Sequence, residues 1–362
     1  MKIHNSRRLY FVDMLETICI FCVIFYHAFS TSVDVRSYDH IVEYYIKSCL
    51  SISIPLFFTV NGGLLLNKEL NLKKHIFKMI HLIFLVCIWD VINVTIKMFV
   101  YHKTLSWAEI LKKLWYFEPG WSNQLWYLMA LFVIYAFFPL LKSSYDHTKK
   151  TFLFFSVIVF AVVFGNSLLN MILSITCIII DFPVSSEEIN FFNQFNPLRG
   201  LYGYTFAYFI LGGFLFSKID ILQKKLKPIY AAAGYVVSIG FLTTYGIIIS
   251  VKTQEVWDTV SSSFSTVFVL AAALCVFRLS LLCSNSSESR IRKIIENISR
   301  NSLGIYLFQS LLADVCYTYY IKLPVSQNLL GDLIFSLCLF ILCNLLTSLC
   351  KKVPYLKFVC TL

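Results

Sequence analysis

The sequence predicts an all-α membrane protein that crosses the bilayer about ten times and keeps both termini in the cytoplasm. Of its 362 residues, 58% are hydrophobic and only 14% are charged, whereas soluble domains carry about 25% charged residues. The apolar residues form long continuous runs, which are typical of membrane helices and not of the alternating strands of a membrane β-barrel. This composition excludes a disordered chain, a nucleic-acid-binding domain and an ordinary cytosolic enzyme.

Ten apolar runs approach the length of about 20 residues that crosses a bilayer. The fifth run is long and contains Asn166 and Asn170, so we expect it to be bent or split. The longest connection, near residues 101–124, is too short for a further domain, so we expect one membrane domain over residues 1–362. The runs lie near residues 12–30, 48–66, 76–100, 125–141, 152–181, 201–216, 229–249, 260–282, 302–320 and 330–349.

The basic residues predict the orientation of these runs. If the amino terminus is inside, 22 of the 31 Lys and Arg residues fall in inner segments and 9 on the outer side. Cytoplasmic loops are enriched in Lys and Arg, so we expect both termini in the cytoplasm. The net charge of +11 then needs no nucleic acid or other acidic partner. Asp13 and Glu16, at the start of the first run, favour a retained helix over a cleaved signal peptide.

The twelve cysteines predict neither a disulfide framework nor a metal site. Most of them lie inside apolar runs, and Cys19 and Cys22 form a C-x-x-C without a second pair at metal-ligand spacing. We therefore expect the cysteines to fill space between helices, and we expect neither a bound metal nor a bound cofactor.

The first run carries a polar stripe that includes Asp13, Glu16 and His27. Eleven residues separate Glu16 from His27, which is three helical turns plus about 20°, or about 16 Å along one face. Histidine suits proton transfer because its pKa lies near neutrality, and ionisable groups inside a membrane are candidates for function. A histidine that only packs against a neighbouring helix gives the same pattern, so both interpretations stay open.

Two further runs carry polar faces. Asp90, Asn93 and Lys97 of the third run share one face at spacings i, i+3 and i+7. We expect Lys97 to snorkel outward, whereas Asp90 needs a partner or water. Polar contacts that hold helices together are the alternative explanation for these residues. The ninth run carries a similar face, formed by Ser302, Tyr306 and Gln309, with Asp314 further out.

The opening RRLYFVDMLETICIFCVIFYHAF, with Arg8, Asp13 and His27, resembles the opening of the acyltransferase 3 family. Three further segments resemble motifs of that family in the same order. SISIPLFFTVNGGLLLNK in the second run is similar to its Pro-x-Phe-Phe-x-x-Ser-Gly-x-x-Leu motif, NQLWYLMALFVIYAFFPLL to its Leu-Trp-Phe-Leu span, and SLGIYLFQ to its Ser-x-x-Ile-Tyr-Leu-x-His motif. The family consists of integral membrane proteins that acylate, most often O-acetylate, sugars of cell-surface glycans.

Three residues depart from the family pattern. Glu16 stands where the family usually has Arg or Lys, Asn61 replaces the serine of the second run, and Gln309 replaces the histidine of the ninth run. His27, the residue most closely tied to the chemistry of the family, is retained. The charge reversal at Glu16 leaves open how the acyl donor is held and whether this member is active.

The resemblance implies a multi-pass O-acyltransferase of the cell membrane that uses acetyl-CoA or another acyl-CoA as donor and a cell-surface or lipid-linked polysaccharide as acceptor. His27 would act as the base. Basic inner loops such as Lys73–Lys74 and Arg290–Arg292–Lys293 could bind the phosphates of the donor, although their cytoplasmic location alone also explains these charges. The resemblance and the polar residues of the spans together suggest a pocket for the substrate or the acyl donor, formed by Asp13, Glu16, Asn61, Asp90, Trp126, Tyr306 and Gln309.

Two other functions fit parts of the pattern. A transporter or flippase for a lipid-linked glycan would use Glu16, Asp90 and Asp314 for binding or coupling, although no internal repeat of the kind common in transporters is visible. A catalytically inactive family member that binds a partner is suggested only by Glu16 and Gln309. The sequence does not indicate an oligomeric state.

Overall fold

The structure is a computed structural model, and it describes residues 8–29, 33–116, 121–185, 187–192, 194–285 and 289–362. All regular secondary structure in these residues is helical, which confirms the predicted all-α class. The α-helices are α1 Tyr10–Ala28, α2 Ile41–Cys49, α3 Ser53–Leu66, α4 Leu72–Val100, α5 Trp107–Tyr116, α6 Trp126–His147, α7 Lys149–Phe160, α8 Asn166–Ile179, α9 Gly203–Ser217, α10 Ile219–Lys225, α11 Pro228–Thr253, α12 Val267–Ser280, α13 Arg290–Tyr320, α14 Leu329–Cys350 and α15 Pro354–Phe358.

Seven helical stretches of the described residues are long and apolar enough to cross a membrane, and α9 with α10 forms an eighth if this pair, bent by 74°, counts as one span. The protein is therefore a multi-pass helical membrane protein. The other two predicted spans fall on α12, which has only 14 residues, and on the polar helix α13. The count of ten spans and the cytoplasmic termini stay predictions. The seven stretches are Tyr10–Ala28, Ile41–Leu66, Leu72–Val100, Trp126–His147, Lys149–Ile179, Pro228–Thr253 and Leu329–Cys350.

The fifth predicted run forms one stretch, with a π-helical turn at Ala161–Gly165 between α7 and α8. The two asparagines that suggested a split have another role. Asn170 Nδ2 donates to the carbonyl oxygen of Ile189 over 2.7 Å, and Asn166 Oδ1 accepts from the backbone nitrogen of Phe191 over 2.9 Å. They hold the chain that follows α8. The run is not split, and a bend, the other alternative, stays a prediction.

The chain forms two compact units. The first unit contains residues up to Cys22, the chain around α2 and α3 as far as Glu69, and Leu141–Lys293. The second unit contains α1 from Val23 onward, Leu70–Leu140 and the chain from Ile294 to its end. The helices α1, α6 and α13 thus contribute residues to both units. The single domain over residues 1–362 stays a prediction.

The core of the first unit is the contact between α3 and α9. Gly62 of α3 faces the backbone of Phe209, and Gly212 of α9 faces the backbone of Thr59; a Cβ on either glycine would lie 1.8 Å from the opposing carbonyl oxygen. Small residues let membrane helices approach closely enough for van der Waals packing. These glycines therefore set the distance between the two helices.

Buried basic side chains close helix ends in the first unit. Lys142 donates to the carbonyl oxygen of Leu66 over 3.1 Å, at the end of α3. Arg278 donates to the carbonyl oxygens of Leu226 over 2.7 Å and Gln223 over 3.1 Å, at the end of α10. The last carbonyl groups of a helix lack intrahelical partners, and cations satisfy them well. Part of the basic charge predicted to face the cytoplasm therefore has a structural role.

In the second unit, α4 and α13 run in the same direction. The rings of Trp89 and Phe308 meet edge to face at 4.8 Å between centroids. Eight residues further along α4, Lys97 Nζ lies 2.8 Å from an Asp314 carboxylate oxygen, six residues further along α13. Successive spans cross the membrane in opposite directions, so two odd-numbered spans run in the same direction. The sequence therefore predicts parallel helices for the third and the ninth runs, which correspond to α4 and α13.

Helix α5 begins with a capping box in the second unit. Ser106 donates from its backbone nitrogen to the Glu109 carboxylate over 2.8 Å and from its hydroxyl over 2.7 Å. These bonds stabilise the ionised carboxylate, so they lower the pKa of Glu109. The exposed faces of Trp107 and Leu111 give this helix the amphipathic character of a helix at a membrane surface.

Candidate active site

The candidate base, His27, lies in the last turn of α1. Its side chain is exposed, and its ring lies 5.1 Å from the ring of Tyr26 between centroids. The first predicted run extends to residue 30, but α1 ends one residue after His27, at Ala28. A histidine at a helix end with an accessible ring can meet a substrate without burial of its charged form. It belongs to the second unit.

Three of the predicted pocket residues, Asp13, Glu16 and Asn61, belong to the first unit. Asp13 is buried and forms an ion pair with Arg8, whose Nε donates to Oδ1 over 2.7 Å. Glu16 is half-buried and lies near Cys19, one turn further along α1. Asn61 donates to the carbonyl oxygen of Phe57 over 3.2 Å, within its own helix.

A second cation lies near the start of α1 in the first unit. The guanidinium of Arg292 stands 5.0 Å from the ring centroid of Tyr10, a cation–π contact. Arg8, at the same end of α1, has a partly exposed side chain. Arginine binds phosphate groups through several donors at once. Arg8 and Arg292 are therefore candidates for binding the phosphates of an acyl donor; sequence analysis named Arg292 for this role, with its neighbours Arg290 and Lys293, but did not name Arg8.

The other predicted pocket residues, Asp90, Trp126, Tyr306 and Gln309, belong to the second unit together with His27. Asp90 is buried on α4, and Tyr306 and Gln309 are buried on α13. The Tyr306 hydroxyl donates to the carbonyl oxygen of Gln124, which precedes α6. Trp126 is half-buried at the start of α6, and its ring meets that of Tyr127 at 6.4 Å.

The structure adds residues to this group that sequence reasoning missed. Ser122 and Gln124 are buried in the short segment before α6. Asp90 faces Ser122, although the two do not close a hydrogen bond of acceptable geometry. Ser122 and Gln124 lie directly before the Leu-Trp motif of the fourth run. Their position next to this motif is the sequence feature that could have identified them. We use the name α4–α13 polar cluster for the set Asp90, Asn93, Ser122, Gln124, Tyr306 and Gln309.

Lys97 does not snorkel, contrary to expectation, because Asp314 lies within reach. The side chain of Lys97 is only 3% exposed, and its ammonium pairs with Asp314 over 2.8 Å. A charge inside a membrane protein is stabilised by pairing when it cannot reach water. Asp314, one of the carboxylates considered for coupling in a transporter, is therefore engaged in a structural ion pair.

No group of three or more His, Cys, Asp or Glu residues suited to a metal ion exists among the described residues. Cys19 and Cys22 are both buried in α1 as free thiols, in agreement with the packing role predicted for them.

The helices define a multi-pass membrane protein. The chain belongs to the acyltransferase 3 family, whose description is an acyltransferase domain and which matches residues 9–349. This match confirms the resemblance drawn from the four motifs and makes the protein a membrane acyltransferase. Neither the curated proteins nor the solved structures contain a significant match to the chain.

Proposed function

We propose that this protein transfers an acyl group, most simply acetyl from acetyl-CoA, to a sugar hydroxyl of a cell-surface or lipid-linked polysaccharide. The observation that carries the proposal is the family match over residues 9–349, joined to the presence of His27 and the α4–α13 polar cluster in one compact unit. The protein acts in the cell membrane, with both termini in the cytoplasm.

His27 supplies the base in this proposal. Its neutral imidazole takes the proton of the acceptor hydroxyl as the oxygen attacks the thioester carbonyl. A tetrahedral oxyanion forms, and its collapse breaks the carbon–sulfur bond. The imidazolium then returns the proton to the departing thiolate, so the products are the ester and free CoA. An exposed imidazole can both accept and return a proton.

The oxyanion requires hydrogen-bond donors, and the α4–α13 polar cluster contains two amide groups that can serve. The amide nitrogens of Gln124 and Gln309 are buried and have no partner in the protein. Preorganised donors in a dry site are the largest contribution to many acyl transfers. Tyr306 is less suited, because its hydroxyl already donates to the carbonyl oxygen of Gln124.

Transfer of labelled acetyl groups tests the proposal. Membranes that contain the wild-type protein should move label from acetyl-CoA to polysaccharide, and His27→Ala should lower this transfer by at least about 100-fold, the usual contribution of general base catalysis. The matched control is His147→Ala, since His147 is also an exposed histidine in the last turn of its helix. It should leave transfer unchanged.

Three results would contradict the proposal. Transfer by His27→Ala at the wild-type rate would remove His27 from the chemistry. Absence of label in the polysaccharide, with movement of lipid-linked glycan across vesicles, would favour the flippase. Absence of both activities in correctly inserted protein would favour an inactive member in which Glu16 has replaced the usual cation.

A further inference from the structure

A cavity of about 380 Å³ lies between two loops of the first unit, and none of the candidate active-site residues lines it. One loop joins α8 to α9 and contributes Glu188; the other joins α11 to α12. We propose that this cavity binds a primary ammonium group, with the Glu188 carboxylate as its counter-ion. The inference does not depend on the proposed function. The lining residues of the second loop are Trp257, Ser261, Ser262 and Ser265.

Glu188 is the charged residue of the lining. Neighbouring protein atoms remove part of its hydration and raise its pKa above the ordinary value, and no cation of the described chain opposes this effect. A carboxylate that loses hydration is stabilised by a nearby positive charge. The described residues do not supply that charge to Glu188, and a cationic ligand would.

The serine hydroxyls restrict the ligand to a hydrogen-bond donor at two points. The Ser261 hydroxyl donates to an Asp258 carboxylate oxygen over 2.5 Å. Its only proton is therefore engaged, so towards the cavity Ser261 can only accept. The ionised carboxylate of Glu188 is also an acceptor only. A primary ammonium group carries three donors and no acceptor, as the lysine ammonium does, and it matches this pair.

Two further hydroxyl groups complete the set of acceptors. Those of Ser262 and Ser265 form no hydrogen bond with another residue of the described ranges, so both are available to a ligand. A hydroxyl oxygen has two lone pairs and can accept the remaining N–H groups. The cavity thus offers one anionic acceptor and several neutral ones, which suits a small cation with several donors.

The wall formed by Trp257 is fixed before any ligand arrives. Its backbone nitrogen donates to Ser250 Oγ over 2.9 Å, and its carbonyl oxygen accepts from the Tyr44 hydroxyl over 2.6 Å. Its ring meets the ring of Tyr245 edge to face at 5.4 Å. The wall is therefore held by α2 and α11. Sites that need little ordering bind small ligands with less loss of entropy.

The local charge disfavours an anion. Lys47, the nearest basic residue to the second loop, pairs with Asp258 over 3.1 Å. Arg36 pairs with Asp34 over 2.5 Å. A phosphate in the cavity would face Glu188, and like charges repel strongly where hydration is reduced. The other basic residues of the two loops and of the last turn of α11 do not line the cavity; they are Arg199 and Lys252.

The two loops are acidic although the chain is basic. Residues 181–202 and 254–266 contain five acidic residues and one basic residue, whereas the whole chain has a net charge of +11. A local excess of one sign raises the concentration of oppositely charged ligands. The acidic residues are Asp181, Glu187, Glu188, Glu255 and Asp258.

A metal ion fits less well than an ammonium group. Calcium takes six to eight oxygen ligands, usually with several carboxylates, and Glu188 is the single carboxylate of the lining. The described residues also contain no group of three or more His, Cys, Asp or Glu residues suited to a metal. The cavity therefore favours an organic ammonium group, which can come from an aminolipid headgroup or from a soluble amine.

Two binding measurements distinguish these sources. In nanodiscs of phosphatidylcholine, ethanolamine is titrated at constant ionic strength while tryptophan fluorescence is recorded, since Trp257 lines the cavity. Choline, calcium chloride, sodium phosphate and methyl β-D-glucopyranoside are titrated in parallel. Native mass spectrometry of the solubilised protein with an equal mixture of phosphatidylethanolamine, phosphatidylcholine and phosphatidylglycerol then reports which lipid is retained.

We expect saturable binding of ethanolamine, selective retention of phosphatidylethanolamine, or both. Retention of the lipid without binding of ethanolamine supports the inference and assigns the source to the headgroup. Binding of ethanolamine without retention of the lipid supports it and assigns the source to a soluble amine. Choline should bind at least about tenfold more weakly than ethanolamine, because its quaternary nitrogen has no N–H group to donate.

Glu188→Gln is the decisive variant, because it keeps the size of the side chain and removes its charge. It should weaken ethanolamine binding or lipid retention by at least about tenfold. Glu187→Gln is the matched control: Glu187 is an adjacent exposed glutamate that does not line the cavity, so this variant should bind as wild type does. Ser262→Ala is a second variant should Glu188→Gln fold poorly, and it should weaken binding in the same direction.

Several results would overturn the inference. Equal affinity of wild type and Glu188→Gln would remove the counter-ion, and an equal loss in Glu187→Gln would reduce the effect to the general charge of the loop. Choline that binds as tightly as ethanolamine would exclude the donor pattern. Saturable binding of calcium, phosphate or the glycoside in place of ethanolamine would assign the cavity to another class of ligand. Failure of wild type to bind ethanolamine and to retain phosphatidylethanolamine would leave the cavity to water.

Discussion

At the scale of single residues, buried charges in this protein are neutralised by near neighbours. Asp13 pairs with Arg8, Lys97 with Asp314, and Lys142 with the Asp146 carboxylate over 2.5 Å. Burial of a lone charge costs far more than burial of a pair. Asp90 has no such ion pair among the described residues, and its Oδ1 is buried without a protein partner. An unsatisfied buried carboxyl group is a feature that a binding site explains and packing does not.

The ion pair between Lys97 and Asp314 provides a prediction at this scale. Lys97→Met leaves one carboxylate in the second unit without its cation, and loss of one member of a buried pair typically costs about 3–5 kcal/mol. We expect the lower end of this range, because the side chain of Asp314 is 27% exposed. The midpoint of thermal unfolding in nanodiscs measures the loss.

The double variant Lys97→Met, Asp314→Leu is the control for that measurement. It removes both charges, so it should recover most of the lost stability, as apolar replacements of buried pairs do elsewhere. A double variant that is as unstable as the sum of the two single variants would mean that the two residues do not interact energetically.

At the scale of helices, close packing between α3 and α9 has a testable consequence. A Cβ on Gly212 would lie 1.8 Å from the carbonyl oxygen of Thr59. This oxygen belongs to the backbone of α3, so it cannot move aside in the way that a flexible side chain can. We expect Gly212→Ala to force the helices apart and to cost about 1–3 kcal/mol or more of stability. Thermal unfolding of the purified variant measures this loss.

Gly240 of α11 is the matched control, because a Cβ there would meet nothing within 4 Å. Gly240→Ala should be neutral or stabilise the protein by up to about 1 kcal/mol, the difference in helix propensity between the two residues. Equal effects of the two substitutions would show that contact between α3 and α9 does not limit stability.

The helices also show how far sequence reasoning extends and where it ends. Each of the ten apolar runs contains a helix, because hydropathy reports burial in lipid or protein directly, although the eighth run begins seven residues before α12. The role of Asn166 and Asn170 was misread, because their partners, the backbone groups of Ile189 and Phe191, lie beyond the run. The length of a run and the polarity of its residues do not show that a side chain forms hydrogen bonds with a loop further along the chain.

At the scale of the whole molecule, the candidate site was predicted in part. The residues His27, Asp90, Trp126, Tyr306 and Gln309 were selected from four separate runs and lie in one unit. Ser122 and Gln124 were missed, because they lie in a connection, where polar residues are ordinary. Which residues face one another across three elements follows from packing, and one sequence does not carry that information.

The topology of the whole chain is the last prediction. An epitope inserted after Lys103, in the exposed turn between α4 and α5, should be accessible from outside intact cells, and tags at both termini should be accessible only after permeabilisation. The reason is the predicted excess of 22 basic residues inside against 9 outside. The carboxyl-terminal tag needs a flexible linker, because Phe358 stacks on His81 at 3.9 Å and Cys360 is buried.

Opposite locations of the two termini would mean an odd number of spans. The fifth run would then not be the cause, since Lys149–Ile179 forms one helical stretch. The bend of 74° between α9 and α10 would be the first place to examine, because a short helix followed by a sharp bend can return to the side from which it entered. An epitope in the turn between α10 and α11, beside Lys227, would decide the matter: external exposure there identifies α9 as a re-entrant helix and removes it from the count of spans.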